Sequence, residues 1–411
     1  MPIMPELTKK QANRQKQIIS AALQAWQRTD FTGLAMHTVA EELGCSKPAL
    51  YRYFRSKDDL ITQIQSTAVE RILFHGSQWL TDTADSDLHT AVDLLITAAS
   101  RLFSEHPGFL HCVMARRYFL SRDQRTSLRN LAQHMQSRLA GVSDTGTAGF
   151  LLYSVSFWKI LQHFIEQKNI PAPHTIDDTW IQNRCLYGLA GSTLHDTDEF
   201  QIDFGSVEKA FLPVGQEARR EPHRIFSAVE EIVAEAGMEN ATVQKIAERI
   251  GISSSSLYFY FSDRSDMLAQ TLEQERQFFL DMLAARIRGF SGNPAENLYG
   301  FMLLLDAYYR ANPEILTVGS WIRSRTIQLG ARSDFPAPGP ETEFLQQGIR
   351  RGIFTDEISP LGILVFLHVY IALDRSFHEY KKTDMDHQEL ARLRRRFQLA
   401  LYGTSNEHTR T

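Results

Sequence analysis

The sequence has little of what marks secreted, disulfide-stabilised or membrane proteins. It contains three cysteines in 411 residues, an odd number with no C-x-x-C spacing. This pattern argues against a disulfide framework and a cysteine-based zinc site, and it fits a reducing cytoplasm. The N-terminus lacks the apolar block of a signal peptide, and the most apolar run, 363–373, is short and contains His368. We therefore expect a cytoplasmic protein with no membrane partner.

Strong net charge, strand signals and catalytic motifs are also missing. The formal net charge is −4, so any nucleic-acid site has to be local. No G-x-S-x-G, P-loop, G-x-G-x-x-G or H-E-x-x-H sequence occurs. His195-Asp196 lies in a polar stretch, where a solvated loop is the simpler interpretation. We expect an all-α protein of two to four domains that is not an enzyme and holds no metal or cofactor.

One pattern occurs twice, offset by 207 residues without a gap. Residues 39–60 and 246–267 are identical at nine of 22 positions. In the numbering of the first copy, the shared residues are Ala40, Glu41, Gly44, Ser46, Leu50, Tyr51, Tyr53, Phe54 and Asp59. Such self-similarity indicates two similar structural units in one chain.

Each copy has the start and stop signals of a helix-turn-helix. Gly44 ends an apolar-periodic segment, because glycine readily adopts the left-handed conformation that closes a helix. Two residues later Ser46 is placed to cap a second helix, as is Ser253 in the second copy. Pro48 falls in the first turn of that helix, where a missing N–H costs little. A helix, a short turn and another helix are therefore predicted twice.

A further cap follows each second helix and precedes a cation. The pairs are Ser56-Lys57 and Asp263-Arg264. A cation at a helix start opposes the helix dipole, so it needs another reason to be there. A DNA phosphate would supply that reason.

These residues resemble the DNA-binding domain of the TetR family of bacterial transcriptional regulators. The run VAEELGCSKPALYRYFRSK, residues 39–57, is similar to the family pattern I-A-x-x-x-G-V-S-x-x-x-L-Y-x-[HY]-F-x-[ST]-K. The first copy departs from the family at Asp30, where a glycine is usual, and at Ala35, where a capping threonine is usual. The second copy keeps both, as Gly237 and Thr242. The first copy is thus expected to begin its second helix less sharply.

The resemblance implies a tandem all-α fold in which each half is one DNA-binding domain and one helical body. We expect helix-turn-helix domains at 12–66 and 219–273, ligand-binding and dimerisation bodies at 67–192 and 274–404, and a linker at 193–218. In the family, the last two helices of each subunit pair with those of a second subunit. Here the resemblance implies an intramolecular pseudo-dimer and leaves further homodimerisation open.

The last two helices of each half are visible in the pattern. In the first half they are predicted over 149–167 and about 176–190, the latter ending in Tyr187-Gly188. In the second half they are predicted over 361–382 and 385–402, the latter ending in Tyr402-Gly403.

The candidate DNA contacts lie on the second helix of each unit, whose early residues meet base edges in the major groove. In the first copy, Lys47 and Arg52 are candidates for guanine, and the resemblance makes Tyr51, Tyr53 and Lys57 phosphate contacts. Pro48 and Ala49 lie on or beside the same face. In the second copy the candidates are Ser254, Ser255, Ser256, Tyr258, Phe259, Tyr260 and Arg264, with Phe259 suited to a thymine methyl.

The two copies differ in local charge. Residues 1–60 contain nine cations and six anions, a net charge of +3, whereas residues 213–268 contain six cations and nine anions, a net charge of −3. Because phosphate neutralisation supplies most non-specific affinity, the first copy should hold DNA more tightly. The second copy is expected to set register or to bind weakly.

Each candidate also has a structural interpretation. For Leu50 and Phe54 it is packing, which we favour. For the exposed cations it is a solvated face and for the serine run an ordinary capped helix start, and in both cases we favour the DNA role. The resemblance also implies a small, apolar effector among the body helices. Aromatic residues available for it, or simply for the core, are Phe103, Phe109, Phe119, Phe157, Trp158, Phe164, Tyr308, Tyr309, Trp321, Phe344 and Phe366.

Two functions remain open. The first is a transcriptional repressor, released by a small molecule, that binds an asymmetric double-stranded DNA operator through two unlike reading units. The alternative is an interaction protein of TetR architecture that uses only one DNA-binding unit.

Overall fold

The computed structural model of the chain is almost entirely helical. It describes residues 9–28, 35–105, 108–109, 120–139, 146–168, 175–191, 201–212, 224–236, 241–313, 315–316, 343–377 and 385–404. Within these residues the regular elements are α-helices, apart from one isolated antiparallel bridge between Ala190 and Phe354. The all-α prediction is confirmed.

The helices follow the same order in the two halves. The first half contains α1 (Lys9–Arg28), α2 (Met36–Glu42), α3 (Lys47–Leu50), α4 (Lys57–Asp82), α5 (Leu88–Glu105), α6 (Arg122–Leu139), α7 (Thr147–Lys168) and α8 (Asp178–Tyr187). The second contains α9 (Phe204–Phe211), α10 (Arg224–Ala236), α11 (Val243–Ile250), α12 (Ser254–Tyr260), α13 (Arg264–Gly289), α14 (Pro294–Ala311), α15 (Glu343–Arg350), α16 (Pro360–Phe377) and α17 (His387–Tyr402). None of these described helices is long and apolar enough to cross a membrane.

Both helix-turn-helix units form where the repeat predicts them. We call α1–α3 together with the first turns of α4 head one, and α10–α12 together with the first turns of α13 head two. Gly44 and Gly251 close α2 and α11 with φ of +58° and +76°, a conformation that favours glycine over residues with a Cβ. The Ser253 hydroxyl accepts a hydrogen bond from the Ser256 N–H at 3.1 Å and caps α12 as expected.

The predicted side-chain cap at Ser46 is wrong. Ser46 occupies the cap position of α3, but its hydroxyl makes no capping bond. Pro48, the second residue of the helix, has no N–H to offer. The Ala49 N–H bonds to the Ser46 carbonyl at 2.9 Å instead. The helix α3 has four residues, whereas α12, which begins at the corresponding position of the repeat, has seven.

Ala35 begins α2 without a side-chain cap, and Thr242 caps α11 through the Lys245 N–H at 3.3 Å. The Ala35 backbone is already extended, with φ −107° and ψ 146°, as an N-cap requires. We expect Ala35→Thr to raise the free energy of unfolding of head one by about 1 kcal/mol. Thr242→Ala should lower the free energy of unfolding of head two by a similar amount, and urea denaturation measures both changes. This account would be contradicted if Thr242→Ala were destabilised while Ala35→Thr unfolded at the same urea concentration as wild-type protein.

The residues that the structure describes form two hydrophobic cores. The smaller one belongs to head one and the adjoining ends of α4 and α5, and includes Ile18, Leu50, Phe54 and Leu60. The larger one runs through both bodies and into head two without interruption. The two halves therefore share a core through their bodies, while head one keeps a core of its own.

The bodies meet through α7 and α8 of the first half and α16 and α17 of the second. We call this contact surface the seam. Tyr153 stacks on Tyr370 with ring centroids 4.8 Å apart, and Trp158 stacks on Phe366 at 5.1 Å. The Tyr153 hydroxyl donates to the Phe366 carbonyl. Large aromatic side chains buried at such a surface dominate its energetics.

Backbone hydrogen bonds join the ends of α8 and α17 across the seam. The Leu189 N–H donates to the Ala400 carbonyl at 2.9 Å, and the Ala190 N–H donates to that of Leu401 at 2.7 Å. Gly188 permits this approach, because a Cβ built there would lie 2.5 Å from the Gly403 nitrogen. The paired Tyr-Gly sequences thus lie where the ends of α8 and α17 contact each other closely.

The predicted linker contains a packed helix, which its polar composition did not indicate. Asp203 caps α9 through the Ser206 N–H at 3.0 Å. Phe211 is fully buried and covers Gly300 of α14. Glu208 accepts hydrogen bonds from Tyr299 at 2.8 Å and from Arg394 at 2.5 Å. Residues 201–212 are therefore fixed to the second body rather than serving only as a connection.

Candidate nucleic-acid interface

Head one presents its predicted contacts on one surface of α3 and the turn after it. Leu50 and Phe54 are buried and hold α3 against α1 and α2, as their packing interpretation requires. Lys47, Tyr51 and Arg52 are exposed. This short helix therefore turns its cations outward while its apolar side faces the core.

The remaining candidates of head one flank that surface. Pro48 is exposed, and Ala49 and Tyr53 are half-buried, with Tyr53 packed against the core of head one. Lys57 is half-buried at the first position of α4, directly after Ser56, whose hydroxyl accepts from the Asp59 N–H at 3.1 Å. The cap predicted at Ser56 is confirmed.

Lys47 and Tyr51 form the polar centre of this surface. The Lys47 ammonium lies 6.0 Å from the centroid of the Tyr51 ring, at the outer limit of a cation–π contact. Tyr51 keeps 45% of its surface exposed. A hydroxyl and an ammonium side by side can donate to neighbouring phosphate oxygens or to a base edge.

Head two presents aromatic rings where head one presents cations. Leu257 is buried, while Tyr258, Phe259 and Tyr260 are 56%, 82% and 71% exposed. Ile252, in the turn before α12, is exposed as well. Exposed apolar surface of this kind usually marks an interaction site, and a π-face or apolar edge suits a thymine methyl or a sugar better than a phosphate.

The serines of head two form a small hydrogen-bond network. The Ser253 hydroxyl lies 2.9 Å from that of Ser255 and 2.7 Å from that of Ser256. Ser254 is half-buried, whereas Ser255 and Ser256 are exposed. These hydrogen bonds agree with the interpretation of the run as a capped helix start. The two exposed hydroxyls keep acceptor capacity for a further partner.

The cations of head two are engaged within the protein. Arg249 donates to Glu231 at 2.7 Å and to Glu235 at 2.7 and 3.2 Å, and these carboxylates, Glu235 first, raise its pKa. Arg224 donates to the Ile250 carbonyl at 2.5 Å. Arg264 is half-buried and donates to the Ala241 carbonyl at 3.4 Å.

These contacts reduce the number of cations that head two can offer to DNA. The spacing of Arg249 from Glu231 and Glu235 is 18 and 14 residues along the chain, so no helical pattern could have indicated the pairing. A charge count treats Arg249 as a cation available to DNA, whereas the fold places it between two carboxylates. Head two therefore offers DNA fewer available cations than its charge count suggests, while its net charge is unchanged.

The aromatic residues considered for an effector are mostly committed to packing. Trp158, Phe366, Tyr308 and Tyr309 are buried in the larger core, and Phe157 packs against it. Phe344 and Phe109 are buried as well, Phe109 in the core of head one. Phe103 is half-buried and packs against that core. Phe119, Trp321 and the side chain of Phe164 lie outside the described residues.

These features define a helical protein with two helix-turn-helix heads joined through one shared body core. Comparison with known protein families supports this description of the two heads. The family model for bacterial regulatory proteins of the tetR family matches residues 18–64 and again residues 225–271. Both heads are therefore of the TetR type, and the chain joins two such units in tandem.

Individual relatives match over a limited part of the chain. The HTH-type transcriptional repressor KstR2 of Mycobacterium tuberculosis is 36% identical over 87 residues, 20% of this chain and 42% of that protein. The fatty acid metabolism regulator protein of Bacillus subtilis is 28% identical over 65 residues, 16% of this chain and 34% of that protein. The chain thus matches less than half the length of these relatives.

A solved structure aligns with part of the chain. The TetR family transcriptional regulator PfmR from Thermus thermophilus aligns at 18% identity with a TM-score of 0.30. The alignment covers 44% of this chain and 95% of PfmR.

Proposed function

We propose that this chain is a sequence-specific DNA-binding transcriptional regulator of the cytoplasm, a repressor that a small-molecule effector releases. The observation that supports this function best is the pair of TetR-type heads, each with a buried apolar side and an exposed α3 or α12 surface. The contacts are those named from the sequence on these two helices. The relatives that match part of the chain are named as a repressor and a regulator.

The contacts across the seam support the proposal that a single chain takes the place of a dimer. We assign the heads to 12–66 and 219–273, the bodies to 67–192 and 274–404, and the connection to 193–218. Aromatic stacking and backbone hydrogen bonds join the bodies, so each half takes the place of one subunit. A symmetric dimer favours a palindromic operator, whereas two unlike heads favour two unlike half-sites about 34–36 Å apart or a multiple of that distance.

The predicted operator can be tested by selecting bound fragments from random DNA. We expect wild-type protein to return an asymmetric site, with guanine contacts under head one and thymine-rich sequence under head two. The variant Ser254→Ala/Ser255→Ala/Tyr258→Ala should lose the second half-site and keep the first. A clean palindrome would contradict the proposal and indicate two chains bound through their first heads.

An interaction protein with a single DNA-binding head is the second candidate. It is favoured by the exposed rings of Tyr258, Phe259 and Tyr260 together with the internally paired Arg249. Under this function the triple variant selects the same DNA as wild-type protein and binds it equally tightly.

A further inference from the structure

A cavity of about 820 Å³ opens beside the seam, where the end of α8 faces the end of α15 and the turn after it; we call it the seam cavity. The first half lines it with Asn183, Arg184 and Tyr187 and with 190–191. The second half contributes 349–352 and 354–356. Ligand sites often lie where two structural units meet, and this volume is in the range of small-molecule sites.

The lining of this cavity is basic. Arg184, Arg350 and Arg351 line it with a single carboxylate, that of Asp356. Tyr187 and Phe354 add apolar surface from opposite halves. A net positive, partly apolar lining in a chain of net charge −4 favours an anion that also carries an apolar group.

Arg184 is the buried member of this set and its hydrogen bonding is incomplete. The residue is nine-tenths buried; one terminal nitrogen donates to the Gly188 carbonyl at 2.9 Å, and the other lies 3.4 Å from Glu357 Oε2. Arg184 Nε and Glu357 Oε2 are both buried without a hydrogen-bond partner among the described residues. Buried polar atoms are normally satisfied, and those that are not call for an explanation.

The fold itself does not require an arginine at this position. Counting back from the paired Tyr187-Gly188 and Tyr402-Gly403, Arg184 corresponds to Leu399, which is fully buried at the matching place in α17. A leucine thus fills the equivalent site without the desolvation cost of a guanidinium. Burial also lowers the pKa of Arg184, so the arginine is placed there at a cost that packing alone does not explain.

We propose that the seam cavity binds a small organic anion, a molecule with a carboxylate or phosphate group attached to an apolar part. Arg184 is the anchor: its Nε and one terminal nitrogen form the fork that holds two oxygens of such a group. The anion displaces Glu357 from its loose 3.4 Å pairing. Arg350 contributes from the exposed rim, and Tyr187 and Phe354 flank the apolar part.

Calorimetric titration of the full chain without DNA tests this site. The probes are benzoate and phenyl phosphate, with inorganic phosphate as the probe that lacks a ring and sodium chloride as the ionic-strength control. We expect saturable binding of at least one ring-bearing anion, weaker binding of inorganic phosphate and none of chloride. The two ring-bearing probes distinguish a carboxylate from a phosphate ligand.

Two variants and one control assign the binding to the cavity. Arg184→Leu, which installs the residue of the second half, should weaken binding about tenfold or more, since it removes charge-assisted hydrogen bonds. Arg350→Gln on the rim should weaken it less, and the matched control Arg101→Leu on the exposed face of α5 should leave it unchanged.

The proposal is overturned if neither ring-bearing anion binds saturably to wild-type protein, whether or not inorganic phosphate binds. Affinity that is unchanged in Arg184→Leu overturns it as well. If circular dichroism shows that Arg184→Leu is unfolded, Arg350→Gln decides, and unchanged binding there overturns the site. Because no DNA is present, these results are independent of whether the heads bind an operator.

Discussion

Replacing both Lys47 and Arg52 by alanine should weaken binding to the selected operator by about 100-fold or more. Both side chains are exposed on the recognition surface of head one. A well-formed bidentate contact with guanine contributes about 1–3 kcal/mol, and about 2.8 kcal/mol corresponds to a hundredfold change in affinity. Fluorescence anisotropy with the labelled operator measures this change directly.

A pair of substitutions on the exposed side of α12 provides the comparison in head two. Ser255→Ala/Tyr258→Ala removes two exposed side chains from the same part of α12 without changing charge. We expect its effect to be smaller than that of the head-one variant and confined to the second half-site. Thermal unfolding of the variants is the control for stability. Substitutions of exposed residues usually change the free energy of unfolding by about 0.5 kcal/mol or less. A Lys47→Ala/Arg52→Ala protein that binds like wild type would remove head one from the proposed interface.

Salt dependence separates guanine reading from phosphate binding in the same assay. Each neutralised phosphate adds about 0.9 to the slope of log affinity against log salt. If Lys47 and Arg52 read bases, the double variant loses affinity with little change in slope, and specificity falls at defined positions. If they contact phosphates, the slope decreases by about two and all sequences lose affinity alike.

Local signals made the heads predictable from the sequence. Gly44, Gly251 and Ser253 act on backbone within a few residues, so their types and spacing determine the turns directly. The exception at Ser46 is also local, since Pro48 removes one of the donors that the cap would use. The buried sides of α3 and α12 follow from the spacing of Leu50 and Leu257.

Long-range pairings were not accessible in the same way. Arg249 reaches Glu231 and Glu235 on another helix, and Glu208 meets Arg394 186 residues away. Helix α9 was not predicted because it is only eight residues long and lies within a stretch whose polar, glycine and proline residues indicated a linker. The seam cavity depends on Arg184 and on 349–352 approaching from opposite halves, which no single stretch of sequence indicates.

Gly188→Ala should reduce the free energy of unfolding of the shared core by about 3–5 kcal/mol. Gly188 has φ +63° and ψ −143°, a region that is almost restricted to glycine and costs other residues about 1–3 kcal/mol. The added methyl would also lie 2.5 Å from the Gly403 nitrogen and 2.6 Å from the Ala400 carbonyl oxygen. Both neighbours are backbone atoms, so the hydrogen bonds between α8 and α17 have to shift, at about 1 kcal/mol each.

Gly251→Ala separates the two causes, because Gly251 also has positive φ, +76°, but no atom lies within 4 Å of its built Cβ. We expect Gly251→Ala to lower the free energy of unfolding only by the cost of placing an alanine at positive φ, about 1–2 kcal/mol. Urea denaturation of both variants measures the difference, and operator binding adds a second readout. If the seam sets the distance between the heads, Gly188→Ala weakens binding to the complete operator much more than binding to the isolated first half-site. Equal losses of stability in the two glycine variants would show that close contact at the seam contributes little.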